Sequence, residues 1–465
     1  MARPLLGRFT WRSVVLIALE AALIMGAVAA ATWIRLGDEA LELLETRASL
    51  AKALLIAFVC QICLYYGELY DLRIVREKRE LMVRLLQSLG VASLILGVLY
   101  FWLPDLIVGR GVFLIACALI VLVVVGWRLA FDWLSGKVGP SERLLLVGTG
   151  AGAVTLAREL HDLREELGVE IVGFVDPDPA RVGETLVNPG VIGAVADIPD
   201  LVRSRRVDRV VVSLSDARGR LPMDRLLEMK LKDGVAFDHL ASVYEEYTGK
   251  IAIENLRPSW LIFSEGFRKS RAITAAKRAS DILCAAIGLV LGAPIMGLVA
   301  LAVRLTSPGP ALYHQARVGQ HGRVFTVHKF RSMRQDAESG TGAVWATSDD
   351  NRITRVGRVL RKTRLDELPQ LWNVLRGDMS FVGPRPERPE FVQQLTDQIP
   401  FYGQRHVVKP GLTGWAQVCY TYGASVEDAM EKLQYDLFYI KHLSPALDLF
   451  VLLKTIQTVV LRKGT

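Results

Sequence analysis

Four apolar runs, each long enough to cross a lipid bilayer, constrain this chain more than any other feature of its sequence. A spanning helix needs about 20 apolar residues. The runs cover roughly residues 13–35, 50–70, 82–103 and 111–134. Hydrophobic residues make up 51% of the 465 residues, and these runs hold much of the excess over a typical soluble domain. The sequence therefore predicts a transmembrane region of four helices over residues 1–135.

The charges around these runs predict their orientation. The N-terminal segment and the 71–84 loop are basic, whereas the 36–48 loop is acidic. Loops rich in lysine and arginine stay in the cytoplasm, so the two basic segments are predicted to be cytoplasmic. An even number of spans then places residues 135–465 on the cytoplasmic side as well. Glu20 lies inside the first run, where we expect it to pair with a group on another helix.

After the fourth run, short β-branched segments alternate with helical periods, which is typical of a parallel sheet of Rossmann type. We assign residues 140–250 to this Rossmann-like module. A turn with Gly148, Gly150 and Gly152 follows its first strand, and Asp176 ends the next. Such a turn can hold a dinucleotide pyrophosphate, and such an aspartate a ribose hydroxyl. We favour the opposing interpretation, a degenerate module without redox chemistry, because no tyrosine has a lysine four residues later.

Two segments next to the module have compositions suited to a membrane. Residues 251–276 form an interfacial connector, in which aromatic residues stand beside basic ones. The apolar run Ile282–Val303 has basic residues on both flanks and Pro294 at its middle. Basic flanks give neither end a preference for the outer side, and a proline removes a helix hydrogen bond. We therefore predict a re-entrant helix hairpin near 281–305, inside a mainly α-helical, membrane-embedded domain over 277–465.

The net charge of +8 suits nucleic acid, an anionic membrane or a phosphorylated substrate. Between Arg317 and Arg364, eleven residues are basic and four are acidic. Asp366 and Glu367 follow directly, and Pro369 indicates that they stand at the start of a helix. In one interpretation Asp366 caps the helix and Glu367 complements its dipole. In the other, one carboxylate attacks phosphorus and the other holds a divalent ion, in a basic region that attracts phosphate.

At these residues a family resemblance becomes visible. The run from Lys277 to Thr465 resembles the bacterial sugar transferase family, the monotopic phosphoglycosyl transferases. The motifs that carry this resemblance are Lys277-Arg278-x-x-Asp281, Ser307-x-Gly309-Pro310, Gln315-x-Arg317-x-Gly319, Lys329-Phe330-Arg331-Ser332-Met333, Leu365-Asp366-Glu367-Leu368-Pro369-Gln370, Gly377-Asp378-Met379-Ser380, Val382-Gly383-Pro384-Arg385-Pro386 and Lys409-Pro410-Gly411-Leu412-Thr413-Gly414-Trp415. The four spans and the Rossmann-like module look like the large exopolysaccharide-type members, and residues 257–263 resemble members associated with exosortase systems.

The resemblance implies a reaction in two steps. Asp366 would attack the β-phosphate of a UDP-sugar, release UMP and hold the sugar phosphate until a polyprenyl (undecaprenyl) phosphate takes it. Glu367 would bind Mg²⁺, which neutralises the diphosphate. The basic residues implied to contact phosphate or nucleotide are Lys329, Arg331, Arg361, Arg385 and Arg317. The expected location is the bacterial inner membrane, with the catalytic domain, 277–465, on the cytoplasmic side.

Two other classes of protein stay open at this point. A membrane-bound, NAD-dependent nucleotide-sugar dehydratase or epimerase would use the Rossmann-like module. A non-catalytic membrane scaffold would only dock its basic domain on anionic lipid. No nucleic-acid partner is expected, a homo-oligomer is left open, and the sequence does not specify the transferred sugar.

Overall fold

A computed structural model shows two compact units, Leu6–Val243 and Tyr244–Thr465. It describes residues 11–40, 46–67, 69–70, 78–107, 109–135, 142–213, 223–232, 234–253, 264, 266–267, 269–335, 337, 352–420, 423 and 425–460. Part of the basic loop, 71–77, and most of the connector, including residues 257–263, lie outside the described residues.

The first unit begins with four long helices, as the apolar runs predict. These are α1 (Trp11–Leu36), α2 (Arg47–Tyr66), α3 (Lys78–Trp102) and α4 (Arg110–Ser135). Each contains a segment long and apolar enough to cross a membrane. Ile24, Leu64 and Val124 are fully buried in the core that the helices share, whereas Leu94 and Leu122 are about 70% exposed. The bundle therefore has a packed interior and an apolar outer surface that lipid can cover.

Glu20 of α1 is fully buried and pairs with Arg128 of α4, which confirms the expected pairing between helices. Tyr70 donates a hydrogen bond to Glu20 at 2.7 Å, and Arg128 also donates to the backbone carbonyl of Leu69. A buried charge without a partner would strongly destabilise the bundle. This cluster therefore accounts for the two buried charges, Glu20 and Arg128, inside the helical region.

A five-stranded parallel sheet forms the rest of the first unit, in the order β3-β2-β1-β4-β5. Its strands are β1 (Glu142–Val147), β2 (Val169–Asp176), β3 (Val191–Ala194), β4 (Arg209–Val212) and β5 (Ala236–His239). The helices α5 (Ala151–Leu167), α6 (Ile198–Arg205) and α7 (Met223–Lys232) alternate with the strands, and α8 (Leu240–Thr248) follows them. The order reverses direction between β1 and β4, as in Rossmann-type sheets. The predicted fold class of this module is confirmed.

The second unit is mostly helical. Its elements are α9 (Arg271–Thr306), β6 (Leu312–Val318), β7 (Val324–Phe330), α10 (Arg355–Thr363), α11 (Gln370–Arg376), β8 (Ser380–Val382), α12 (Pro389–Gln398), β9 (Gly411–Thr413), α13 (Trp415–Cys419), α14 (Val426–His442) and α15 (Pro445–Val460). The strands β6 and β7 form an antiparallel hairpin, and β8 pairs with β9 in parallel. Trp415 stacks on Phe438 in the main core, which also buries Ile251 and Ile253. Residues 251–253 therefore pack as part of this unit.

α9 is one continuous helix of 36 residues with Pro294 inside it, where the sequence predicts a hairpin. The backbone thus stays helical across the predicted break. Both halves pack on the second unit, since Ala285 lies in one of its buried clusters and Val303 in another. Between them, Val290 and Leu291 are 73% and 72% exposed. The middle of α9 is therefore an uncovered apolar surface, and its path through the membrane stays a prediction.

Candidate active site

A sharp turn presents the two adjacent carboxylates, Asp366 and Glu367, which we call the acid pair. α10 ends at Thr363, and the next residue, Arg364, has a left-handed backbone with φ of 56°. Residues Leu365–Glu367 then form a single 3₁₀ turn, and Pro369 precedes the first residue of α11. No side chain caps either the turn or α11, so Asp366 does not act as a helix cap. Helix capping therefore does not explain the acid pair.

Glu367 is buried and surrounded by three cations. Its Oε1 lies 3.0 Å from Nζ of Lys329 and 2.9 Å from a terminal guanidinium nitrogen of Arg385, and Arg364 is 3.9 Å away. Burial alone would raise the pKa of Glu367, but these cations outweigh burial and hold the pKa well below its usual range. Glu367 is therefore an anion throughout the neutral pH range.

Asp366 lies beside it in a different environment. The residue is 7% exposed, and its Oδ1 is buried without a hydrogen-bond partner. Burial raises the pKa of Asp366, and the charge of Glu367 raises it further, against the opposing attraction of Lys329, Arg361 and Arg364. Neighbouring carboxyl groups with opposite pKa shifts and an unsatisfied buried oxygen are typical of a reactive site.

Two of the five predicted phosphate-binding residues, Lys329 and Arg385, contact the acid pair directly. Arg361 lies near enough to lower the pKa of Asp366, while its Nε donates to Oγ of Ser332 at 3.1 Å. The fold thus brings cations from β7, from α10 and from the loop after β8 around one turn. Their contacts with substrate stay a prediction.

The other two residues, Arg331 and Arg317, donate to oxygen atoms of the protein. Arg331 donates to the carbonyl of Pro308 at 2.7 Å. Arg317 donates to the side chain of Gln315 at 2.6 Å and to the carbonyl of Pro386 at 3.0 Å. In this structure they brace the segment after α9 and the loop after β8. Substrate contact by these two arginines also stays a prediction.

The sequence patterns did not single out a buried ion pair, Arg405 with Asp436, that supports the site. Asp436 is 1% exposed, and Arg405 approaches it at 2.8 Å. Arg405 also donates to the backbone carbonyl of Arg385 at 3.1 Å, so the pair fixes the chain that carries this cation. One signal was present in the sequence, because Asp436 interrupts the apolar face of a helix, where a charged residue requires a partner.

The acid pair has the donor atoms that a magnesium ion prefers. Magnesium takes one or two protein carboxylates and completes its coordination with water and substrate phosphates. All three cations approach one oxygen of Glu367, Oε1, which leaves its second oxygen for an ion. Within the described ranges, no group of three or more His, Cys, Asp or Glu residues could hold a metal. An ion here would therefore depend on substrate phosphate as well as on the acid pair.

The Rossmann-like module has the backbone of a nucleotide site, but its aspartate, Asp176, already has hydrogen-bond partners within the module. Gly148 has φ of +103°, which a glycine adopts without strain. Asp176 accepts hydrogen bonds from the hydroxyl of Thr149 and from the backbone N–H of Asp178, the latter at 3.0 Å. Arg181 lies 3.4 Å from the same carboxylate. The carboxylate is satisfied inside the module, and the favoured interpretation, a module without a bound dinucleotide, stays a prediction.

Two family models match the chain. One, described as Bacterial sugar transferase, matches residues 272–462, which hold all of α9 except its first residue, and every residue of the acid-pair site. The other, described as a CoA-binding domain, matches residues 67–229, which include α3, α4 and most of the parallel sheet. Fold and site thus define a class of protein in which a sugar transferase domain follows membrane helices and an α/β module.

Several proteins with a named activity are similar to this chain. A UDP-N-acetylgalactosamine-undecaprenyl-phosphate N-acetylgalactosaminephosphotransferase from Aeromonas hydrophila is 42% identical, over 57% of this chain and 61% of the relative. UDP-glucose:undecaprenyl-phosphate glucose-1-phosphate transferases from Xanthomonas campestris pv. campestris and Escherichia coli (strain K12) are 35% and 33% identical. Those matches cover 68% and 71% of this chain, and 66% and 70% of the relatives.

This protein therefore belongs to the bacterial sugar transferase family. The matched region spans slightly less than two thirds of the Aeromonas and Xanthomonas relatives, at 61% and 66% of their lengths. Among solved structures, RSP in complex with beta-NADH has a TM-score of 0.20 and 18% identity, over 40% of this chain and 84% of its own. A score that low supports no conclusion about this protein.

Proposed function

We propose that this protein transfers a sugar 1-phosphate from a UDP-sugar to undecaprenyl phosphate and releases UMP, as the initiating step of exopolysaccharide assembly. The main support is that the two carboxylates of the acid pair have different environments. Cations hold Glu367 as an anion, whereas Asp366 keeps a buried oxygen without a partner. A structural pair would have both carboxylates satisfied. The names of the relatives supply the substrates and the type of reaction.

In the first step, an oxygen of Asp366 forms a bond to the β-phosphorus of the UDP-sugar. The bond between that phosphorus and the bridging oxygen breaks, and UMP leaves with the oxygen and its electron pair. The sugar phosphate remains on Asp366 as a mixed anhydride, like the aspartyl phosphates of other enzymes. Lys329 and Arg385 provide positive charge beside the diphosphate, and Arg385 can do so through two parallel hydrogen bonds.

In the second step, an oxygen of undecaprenyl phosphate attacks the same phosphorus. The bond to Asp366 breaks, the carboxylate is regenerated, and the product is a sugar linked to undecaprenyl diphosphate. The acceptor carries a long hydrocarbon chain, so its phosphate must be reached from the membrane surface. The exposed apolar stretch of α9, with Val290 and Leu291, would place the site at that depth.

Magnesium, when bound, neutralises charge on the diphosphate and on the departing UMP. Glu367 would hold it through the oxygen that the three cations leave open. The same cations keep Glu367 ionised, because they lower its pKa. Lys329 and Arg385 therefore serve both the anionic substrate and the carboxylate that would bind the ion.

We infer that the protein is a multi-pass protein of the bacterial inner membrane, with residues 135–465 in the cytoplasm. The charges of the loops support this orientation, and five helices of the described residues are long and apolar enough to span. A cysteine introduced at Gly340 should react with a membrane-impermeant probe only from the cytoplasmic side. Reaction only from the periplasm would instead make α9 a fifth span and contradict the re-entrant prediction.

The transfer itself is tested by UMP release from a panel of UDP-sugars with undecaprenyl phosphate. UDP-glucose and UDP-N-acetylgalactosamine come first, because the relatives are named for these substrates. We expect one sugar to give release that depends on the lipid acceptor. A folded, membrane-inserted protein that releases no UMP from any of them would contradict the proposal.

A further inference from the structure

Two histidines face each other on the hairpin of β6 and β7, and the proposed transfer gives neither of them a role. His314 and His328 are direct partners in the antiparallel register. Their Nδ1 atoms are 2.7 Å apart, and their rings are nearly perpendicular, at 86°. His314 is exposed and His328 is half-buried. Two imidazole nitrogens therefore converge on one point at an accessible surface of the protein.

Hydrogen bonds along the outer edges of the hairpin hold these two histidines in place. On the β7 side, the backbone N–H of His328 donates to the side chain of Asn373 at 3.2 Å. On the β6 side, the N–H of Val318 donates to the carbonyl of Glu387 at 2.9 Å. Because the N–H of His328 points away from β6, the two histidines form a non-hydrogen-bonded pair, the kind in which opposite side chains are closest. The fold thus brings both rings together in advance, which lowers the entropy cost of binding a ligand between them.

The two nitrogens share a single proton in this structure. At 2.7 Å one Nδ1 carries the hydrogen and the other accepts it, because two bare lone pairs would repel each other. Burial lowers the pKa of His328, and the charges of His314 and Arg376 lower it further, against the opposing charge of Asp378. His328 is therefore neutral at pH 7, which is the form of histidine that binds metal ions.

We propose that His314 and His328 form a binding site for a divalent metal ion that prefers nitrogen ligands, such as Zn²⁺, and that each coordinates it through Nδ1. Zinc binds imidazole nitrogen at about 2.0–2.1 Å in tetrahedral geometry, so the two nitrogens must lie about 3.3 Å apart. Rotation of the two side chains supplies the additional distance of about 0.6 Å. The ring that carries its proton on Nδ1 changes to the tautomer protonated on Nε2, so both rings stay neutral and the ion takes the place of the shared proton.

This site is separate from the acid pair. Side chains of consecutive residues in a strand point to opposite faces. Lys329 extends from one face of β7 to Glu367 at 3.0 Å, so His328 stands on the other face. No group of three or more His, Cys, Asp or Glu residues in the described part of the chain could hold a metal, so water would complete the coordination at the histidines. Magnesium prefers oxygen ligands, whereas zinc accepts imidazole, so the two sites also differ in the ion that they select.

The test is Zn²⁺ binding to the full chain without an affinity tag, measured by equilibrium dialysis in excess Mg²⁺, which occupies oxygen-ligand sites. We expect His314→Asn and His328→Asn each to weaken the binding of one Zn²⁺ by about 100-fold, because each variant removes one of two linked ligands. His321→Asn is the matched control, since His321 is exposed in the turn of the same hairpin. Its φ of 56° is one that asparagine tolerates, and its Zn²⁺ affinity should equal that of the parent.

Circular dichroism without metal verifies that each variant folds. If His328→Asn does not fold, His328→Tyr replaces it, because tyrosine keeps a ring at this half-buried position and lacks the nitrogen ligand; the same loss is expected. A parent that binds no Zn²⁺, or folded variants that keep the parent affinity, would overturn the site. A loss in only one of the two variants, or an equal loss in His321→Asn, would also overturn it, since the ion would then not be shared by this pair.

Discussion

Asp176 and Asp366 are both buried aspartates, but their surroundings are opposite. Asp176 ends β2 in the Rossmann-like module, and Asp366 lies in the turn before α11. Asp176 accepts from Thr149 and from the backbone of Asp178, whereas Oδ1 of Asp366 is buried without a partner. A buried carboxylate with all its partners stabilises a fold, but one without them costs stability and is retained where chemistry requires it. The reactive aspartate, Asp366, thus differs from the structural one, Asp176, by its missing hydrogen bonds more than by its position in a motif.

The largest effect should come from exchanging each aspartate for asparagine. Asp366→Asn lacks the anionic oxygen that attacks phosphorus, so UMP release should fall by roughly 10⁴-fold or more. Asp176→Asn is the matched control, and its rate should stay within about twofold, because the amide oxygen of asparagine can accept from the backbone N–H of Asp178 while its NH2 group donates to the hydroxyl of Thr149. Steady-state UMP release measures both.

The covalent step can be examined in the same pair of variants. Parent protein incubated with labelled UDP-sugar, without lipid acceptor, should retain sugar phosphate on the peptide that contains Asp366. Asp176→Asn should retain it as well, and Asp366→Asn should not. Near-normal turnover of Asp366→Asn would rule out the covalent mechanism, and an equal loss in both variants would remove the distinction between the two aspartates.

A smaller loss is expected from Glu367→Gln. The variant lacks the charge that would hold Mg²⁺, so the rate should fall on the order of 100-fold, with partial recovery at higher Mg²⁺. The measurement is UMP release over a range of Mg²⁺ concentrations. Full activity of the parent in the presence of a chelator would contradict the metal role of Glu367.

The pH dependence should move in a defined direction when a cation is removed. Burial raises the pKa of Asp366, and Lys329 opposes that rise. Asp366 must be ionised to attack, so activity is lost as the pH falls through its pKa. Lys329→Met should therefore move the acid limb of kcat/KM to higher pH by about one unit. The control is Lys362→Met, at an exposed site on α10, which should leave the acid limb of kcat/KM in place because solvent screens that charge. If the acid limb of Lys329→Met were unchanged, Lys329 would not act on Asp366.

The smallest effect should come from removing the Rossmann-like module. A truncated protein, 244–465, should keep UMP release within about tenfold of the full chain, because the proposed chemistry uses only groups of the second unit. Truncation to 265–465 should lower the melting temperature, because it removes buried Ile251 and Ile253 and the carbonyl of Gly249, which accepts from Trp415 at 2.9 Å. An inactive but folded 244–465, or stoichiometric nicotinamide in the purified full chain, would give the module a part in catalysis.

Sequence patterns predicted the helices and strands far better than the turn at the acid pair. The four apolar runs are helices, and the β-branched segments after them form a parallel sheet. Pro369, however, is compatible with several positions near a helix start, and the left-handed backbone of Arg364 has no signal of its own in the sequence. The helix around Pro294 was predicted to break. In the structure α9 is continuous, and both of its halves pack on the second unit.

By itself, the sequence determined which segments can enter a membrane, which form a sheet, and that an acid pair stands among cations. These properties depend on local periodicity, composition and motif spacing. Only the tertiary structure decided that Lys329 and Arg385 reach Glu367. It also decided that Arg331 and Arg317 donate hydrogen bonds to carbonyl and side-chain oxygens of the protein. The reason is physical, because burial and hydrogen-bond satisfaction depend on segments that are distant in the chain and meet only in the fold.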